Sequence, residues 1–323
     1  MLAADSLVTV FGGSGFVGRH TVRLLARQGL RVRAAVRRPD LAGHLQPMGG
    51  VGQIMAVQAN LRDAASVRRA VEGADAVVNL VSVLAPNGRQ TFQALNVEGA
   101  RTIARAARDA GARVLVHLSA LGAGPGSPGR YGQTKAAGEA AVLETLPGAV
   151  ILRPSIIFGP EDQFFNRFAS LAQSSPFLPL IGGQTRMQPV YVGDIAAAIL
   201  ASLNGMAKAG TVYELGGPEV ATFEDLMRRT MDYAGQQRRF VVVPVWVAKL
   251  GAALSKPLPM SLRPMTVDQV SMLQADTVVS RKAIDEHRTL ADLGVTAPQS
   301  IEAIVPGYLE RFRANGQYAH YRG

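Results

Sequence analysis

Leu7-Val-Thr-Val-Phe-Gly12-Gly-Ser-Gly15-Phe-Val-Gly18 is the stretch on which the fold turns. A short apolar run gives way at once to three glycines three residues apart, and helical spacing follows through Val17, Val22, Leu24 and Leu25. The pattern predicts a strand over Leu7–Phe11 and a helix over Gly15–Gln28, with Gly29 closing it. Each glycine has a task at such a junction. Gly12 makes the tight turn, Gly15 leaves room for a ligand to approach the backbone, and Gly18 lets helix and strand pack closely. Such a turn lets a pyrophosphate approach backbone N–H groups at a helix N-terminus, where the helix dipole favours negative charge.

Outward from this unit, strand and helix alternate. Arg31–Val36, Ile54–Val57, Ala76–Val81, Val114–Leu118 and Val150–Leu152 read as strands, and helical stretches begin near Asp63, Thr91 and Tyr131. Such alternation requires a parallel sheet with right-handed crossovers. The expected fold class is α/β, a Rossmann-type doubly wound parallel sheet with a smaller mixed C-terminal lobe. Residues 1–160 form the expected nucleotide-binding domain. Residues 161–323, where regular alternation fails, form the expected lobe on the sheet's carboxyl edge, facing a partner or a substrate. Helices are expected there at Asp162–Gln173, Gly193–Leu203, Phe223–Ala234 and Thr266–Gln274, with strands at Pro189–Val192 and Val212–Leu215; Pro257, Pro259 and Pro264 break the chain after Trp246–Leu254.

The end of the second strand tells one nucleotide from another. An acidic residue there binds a ribose 2′-hydroxyl, whereas a basic one accepts a 2′-phosphate. Val36 is followed by Arg37-Arg38-Pro39, with Asp40 beyond the proline. The two arginines favour NADPH over NADH.

Tyr131 and Lys135 lie one helical turn apart and share a face. An ammonium beside a phenol favours the phenolate, and a nearby hydroxyl such as Ser119 orients a carbonyl, so Tyr131 suits general acid or base work.

Composition removes other chemistries. The chain has 323 residues, 48% of them hydrophobic, enough for one large core or a core and a smaller lobe. It has no cysteine and its five histidines show no metal-ligand spacing, so disulfides, thiolate nucleophiles and metal centres are not expected. No run of 18 apolar residues occurs, and the short stretch before the first strand predicts neither a leader nor a transit peptide, as in a bacterial protein. The formal charge is +10, but the basic residues are dispersed, with no base-stacking motif among them. Nucleic acid is therefore not an expected partner, whereas an anionic membrane surface or an acidic protein remains open.

On these residues the sequence resembles the extended and atypical short-chain dehydrogenase/reductase superfamily. The resemblance rests on residues 12–18, Ser119, Tyr131-Gly-Gln-Thr-Lys135 and Leu152-Arg-Pro-Ser155, and it covers essentially the whole chain. Three longer segments, residues 36–45, 153–168 and 188–194, are similar to the nucleotide-binding accessory subunits of respiratory complex I (NADH:ubiquinone oxidoreductase) of the alphaproteobacterial kind.

The resemblance implies a firmly held NADPH that stabilises the subunit without passing electrons. It places Gly12, Ser14, Gly15, Phe16, Val17 and Gly18 around the pyrophosphate, and Arg37 and Arg38 at the 2′-phosphate. Asn60 and Leu61 flank the adenine, Leu80, Val81 and Ser82 pass beneath the ribose, and Tyr131, Lys135, Pro154 and Ser155 reach the nicotinamide side. Two departures stand out: many extended-type enzymes have Asp where Asn60 stands, and Ser119 lies two residues before the triad position. The resemblance also implies complex I subunits as partners and a peripheral seat on the cytoplasmic side of a bacterial inner membrane. Val241–Leu254, with Trp246 and Lys249, followed by Lys256, suits a membrane interface, a partner subunit or a pocket cap. The alternative is a free NADP-dependent reductase or nucleotide-sugar epimerase that keeps its Tyr131 chemistry.

Overall fold

The computed structural model describes residues 2–255, 265–313 and 316. Lys256, Pro257, Pro259, Pro264 and His320 lie outside them. The chain forms two compact units, each assembled from separated segments.

Residues up to Pro154 build most of unit 1. In chain order they give β1 (Leu7–Phe11), α1 (Phe16–Arg27), β2 (Arg31–Val36), β3 (Ile54–Gln58), α2 (Ala64–Val71), β4 (Ala76–Asn79), a π-helical turn (Gln93–Gly99) running into α3 (Ala100–Asp109), β5 (Val114–Leu118), α4 (Arg130–Thr145) and β6 (Val150–Pro154). Unit 2 opens with β7 (Ile157–Phe158), α5 (Phe165–Ser174), β8 (Phe177–Leu180), β9 (Arg186–Met187) and β10 (Val190–Tyr191). The chain then re-enters unit 1 as α6 (Val192–Leu203) and β11 (Val212–Leu215). It leaves for β12 (Ala221–Thr222), α7 (Phe223–Tyr233), β13 (Arg239–Val242), α8 (Val245–Leu254) and α9 (Val267–Met272), returns once more as α10 (Arg281–Asp285), and ends in unit 2 with α11 (Ile301–Leu309).

Unit 1 is a seven-stranded parallel sheet in the order β11-β6-β5-β4-β1-β2-β3. Its inner strands β1, β4, β5 and β6 are almost wholly buried, β4 at every position, as expected where helices cover both faces. α2, α3 and α4 close one face over Val67, Ile103, Leu115 and Ile151. α6 packs beside α1. The chain runs outward from β1 to β3 and then crosses back to β4, so the strand order reverses between β1 and β4. A crevice for ligands opens at such a switch point, at the carboxyl ends of those two strands.

The helix and strand expected at Gly193–Leu203 and Val212–Leu215 form, but in unit 1. Ile195, Ala196, Ala198 and Ile199 bury an apolar face there, and β11 pairs with β6 through Val212–Leu215 and Ile151–Pro154. The two units thus interleave along the sequence, where the sequence reading places a single division at residue 160.

Unit 2 gathers Phe158, Phe165, Leu178, Phe223, Leu226, Val305 and Leu309 into its own core, with α5, α7 and α11 around it. Asp162 organises the entry to α5: its carboxylate accepts from the amides of Phe164 and Asn166 and from the Tyr308 hydroxyl at 2.5 Å. Burial pushes that carboxyl above the usual range, and the hydrogen bonds work the other way.

Candidate functional site

The glycine turn closes at the switch point. Gly12 has φ of +81°, a left-handed conformation that a side chain strains, and Gly15 donates its amide to the Gly12 carbonyl at 3.0 Å. At Gly18 a Cβ would stand 2.2 Å from the same carbonyl, so only glycine lets α1 sit this close to β1. Gly15 is the N-cap of α1 and offers no side-chain hydrogen bond, whereas Asp63 caps α2 through the Ala65 amide. The first-turn amides of α1, including those of Phe16 and Val17, therefore lack the side-chain acceptor that most helix starts carry. The exposed Gly15 and half-buried Ser14 leave this end open to an anion.

Arg37 and Arg38 both stand exposed at the end of β2, yet differ in what they hold. The Arg38 guanidinium is gripped by Asp40 at 2.6 Å, which raises the one pKa and lowers the other. Arg37 makes no hydrogen bond or ion pair among the described residues and is the available cation. On the next strand end, Asn60 accepts from the Arg62 amide at 3.2 Å, and Leu61 packs against the Cα side of Gly99.

Leu80, Val81 and Ser82 leave β4 directly across from the glycine turn. Leu80 donates its amide to the Phe11 carbonyl, and the Val81 side chain would lie 3.3 Å from a Cβ on Gly12. Ser82 donates to the Asn96 carboxamide oxygen at 3.2 Å, and the Asn96 nitrogen donates to Thr134 at 3.2 Å. Asn96, in the π-helical turn, thereby joins this loop to the helix that bears Tyr131. Sequence reasoning overlooked it; the available signal was a lone asparagine inside an otherwise apolar helical face.

The Tyr131/Lys135 pair falls on α4 as expected, and the environments differ. Tyr131 is half-buried with its ring edge to Phe92. Lys135 is 1% exposed and donates to the Leu118 carbonyl at 2.7 Å. Burial brings its ammonium down to about 8, with Glu139 opposing the shift. Ser119 points elsewhere: its hydroxyl donates to the Glu139 carboxylate, which also receives Arg153 at 2.5 and 2.9 Å. Two residues further on stands Leu121, buried and without a hydroxyl. The sequence reading missed Glu139 and Arg153, although Glu139 is four residues past Lys135 and Arg153 interrupts the apolar run of β6.

Pro154 accepts the Leu121 amide at the end of β6. Ser155 belongs to unit 2, where its hydroxyl donates to the Thr277 carbonyl at 2.6 Å. Among the described residues no group of three or more histidines and carboxylates could hold a metal ion.

The sheet order and the glycine turn agree with a sequence-family match over residues 8–216. The chain belongs to the NAD dependent epimerase/dehydratase family. It is 35% identical over 322 residues to the mitochondrial NADH dehydrogenase (ubiquinone) 1 alpha subcomplex subunit 9 of Arabidopsis thaliana, covering 96% of this chain and 79% of that one. The expected kinship with a complex I subunit therefore holds. The chain is also similar to the ceramide reductase of Caulobacter vibrioides, 32% identical over 245 residues, with 75% of this chain and 74% of that one covered. In three dimensions the chain is similar to the dTDP-glucose 4,6-dehydratase DesIV of Streptomyces venezuelae, solved with NAD and TYD, at a TM-score of 0.72 and 22% identity over 98% of this chain and 100% of that one; this likeness concerns the fold.

Proposed function

We propose that this member of the epimerase/dehydratase family is an NADPH-binding accessory subunit of respiratory complex I in which the nucleotide is a structural element. The observation that carries the reading is the Ser119–Glu139 bond. A hydroxyl that must donate to a substrate carbonyl is already donating its hydrogen bond to a buried carboxylate, and Leu121 supplies no substitute. Kinship with the complex I subunit supplies the partner.

The nucleotide fits the residues present. Gly12, Ser14, Gly15, Phe16, Val17 and Gly18 would hold the pyrophosphate through backbone amides, and Arg37, with Arg38 behind it, the 2′-phosphate. Asn60 and Leu61 would flank the adenine, and Leu80, Val81 and Ser82 the ribose. Tyr131, Lys135, Pro154 and Ser155 would lie toward the nicotinamide. When bound, NADPH is a hydride donor; here the residues around it would bind and orient it, while the Ser119 hydroxyl is engaged with Glu139.

We assign the partner side to unit 2 and the location to the cytoplasmic face of a bacterial inner membrane. Among the described residues no helix is long and apolar enough to cross a membrane. Trp246, Leu250 and Leu254 are nevertheless 55–71% exposed on α8, and no acidic residue occurs between Asp232 and Asp268. An apolar face in a basic stretch suits a peripheral seat on anionic lipid. A flotation assay with anionic vesicles checks that seat, and a chain that stays at the bottom of the gradient removes it.

The second reading, a free NADP-dependent reductase or epimerase, draws on the intact Tyr131/Lys135 pair and on the ceramide reductase relative. Comigration with NADH:ubiquinone oxidoreductase on a native gel separates the two. The subunit reading requires the chain in that band, and Tyr131→Phe leaves the band intact. A chain that always migrates alone, with reductase activity abolished by Tyr131→Phe, establishes the enzyme.

A further inference from the structure

The interior of unit 1 contains a buried polar pair that neither the glycine turn nor the Tyr131 helix uses. Asn79 and His117 face each other across β4 and β5, 0% and 1% exposed, at the carboxyl ends of strands that are otherwise apolar. Buried polar groups cost stability unless their hydrogen bonds are made, and two apolar side chains would fill the same space at less cost.

The orientation of the pair follows from its neighbours. The Val81 amide donates to the Asn79 side chain at 3.1 Å, so the acceptor there is the carboxamide oxygen. The carboxamide nitrogen is then the atom facing His117 Nδ1 at 2.9 Å, and it can only donate. Nδ1 must be bare and the ring proton must sit on Nε2, which is buried without a partner among the described residues. A protonated ring would set two donors against each other. Burial and the charge of Lys135 both oppose that protonation.

The chain of bonds ends at the loop that faces the glycine turn. By accepting the Val81 amide, Asn79 bends the backbone just past β4, and the Val81 side chain is delivered against Gly12. Ser82, on the other side of Val81, is held by Asn96 and through it by Thr134. The loop is thus pinned at one end from β5 and at the other from α4.

We infer that His117, acting through Asn79, is a positioning residue that fixes the Leu80–Ser82 loop in the shape that receives the nucleotide's ribose. The nucleotide part of this inference rests on the NADPH reading above; the loop part does not. His117→Leu keeps apolar volume and removes the acceptor, leaving the Asn79 nitrogen free to turn.

The test combines amide exchange at Val81 in the nucleotide-free protein with NADPH titration of the wild type, His117→Leu, Asn79→Leu and the double variant. The expected result is faster Val81 exchange in each single variant and a dissociation constant raised on the order of tenfold, the value of one hydrogen bond at a binding loop. The double variant should be no weaker than the worse single one. Native Val81 protection and wild-type affinity in His117→Leu would overturn the inference, as would simple multiplication of the two single effects. Nitrogen-15 shifts of the wild-type imidazole give a further check that does not depend on a folded variant: a bare Nδ1 and a protonated Nε2 are required, and a proton on Nδ1 contradicts the relay. Should the wild type take up no NADPH, the nucleotide reading falls while Val81 exchange still decides the loop.

Discussion

The Ser119 hydroxyl donates a hydrogen bond to Glu139, and the same carboxylate holds the Arg153 guanidinium. The pairing joins the end of β5, the middle of α4, which also bears Tyr131, and the end of β6. Its role is to hold these elements together, and a substitution should reveal it in stability. Ser119→Ala is expected to lower unfolding free energy by about 1–2 kcal/mol, with NADPH affinity and any residual turnover unchanged. Denaturant unfolding and a titration check both halves; loss of a measurable reductase rate with unaltered stability would return Ser119 to the chemistry.

Arg37 and Arg38 are not equivalent. Asp40 engages Arg38, whereas Arg37 is open to a ligand. Arg37→Ala should raise the NADPH dissociation constant about tenfold, as expected for one exposed charge-assisted contact, and leave NADH affinity alone. Equal losses for both nucleotides would show that the guanidinium does not read the 2′-phosphate.

The three glycines separate folding from binding. Gly18→Ala places a methyl group 2.2 Å from the Gly12 carbonyl and should destabilise the protein by about 3 kcal/mol or more. A Cβ at Gly15 would stand 3.2 Å from that oxygen, a tight contact that a shift of a few tenths of an ångström relieves, so Gly15→Leu should fold with near-native circular dichroism and bind no nucleotide. A Gly15→Leu protein that still takes up NADPH would place the pyrophosphate elsewhere.

Lys135 gives a pH dependence with a definite sign. Its ammonium falls from 10.5 to about 8 in the folded protein, chiefly through burial. Between those values the unfolded chain binds the proton more readily than the folded one, so stability rises with pH across the window and is flat below it. Lys135→Met should remove this rise. The check is the difference between wild-type and Lys135→Met unfolding free energies, followed from pH 8 to pH 10.5; parallel curves would mean that the amine is not desolvated.

Much of the sheet was legible in the sequence because parallel strands buried on both faces read as plain apolar runs, and glycine fixes the first turn whatever surrounds it. Arg31–Val36 and Val114–Leu118 are strands as expected, and the β4 run stops at Asn79 because Asn79 turns the chain by accepting the Val81 amide. The return of α6 and β11 to unit 1 was not legible, since an apolar helix face does not say which sheet it covers. The same holds within the site. Gly12, Arg37 and Lys135 announce themselves by local spacing, whereas the pairing of Asn79 with His117, 38 residues apart, depends on strand order. Ser119 was recognisable as a hydroxyl near the site, but its commitment to Glu139 depends on the distance between β5 and α4.

Native mass spectrometry of the freshly purified chain tests the central claim most directly. The account predicts one intact NADPH per polypeptide, retained through buffer exchange, and a melting temperature that falls when the nucleotide is stripped and recovers when it is restored. A chain free of any adenine nucleotide, whose melting temperature is unmoved by added NADPH, would contradict it.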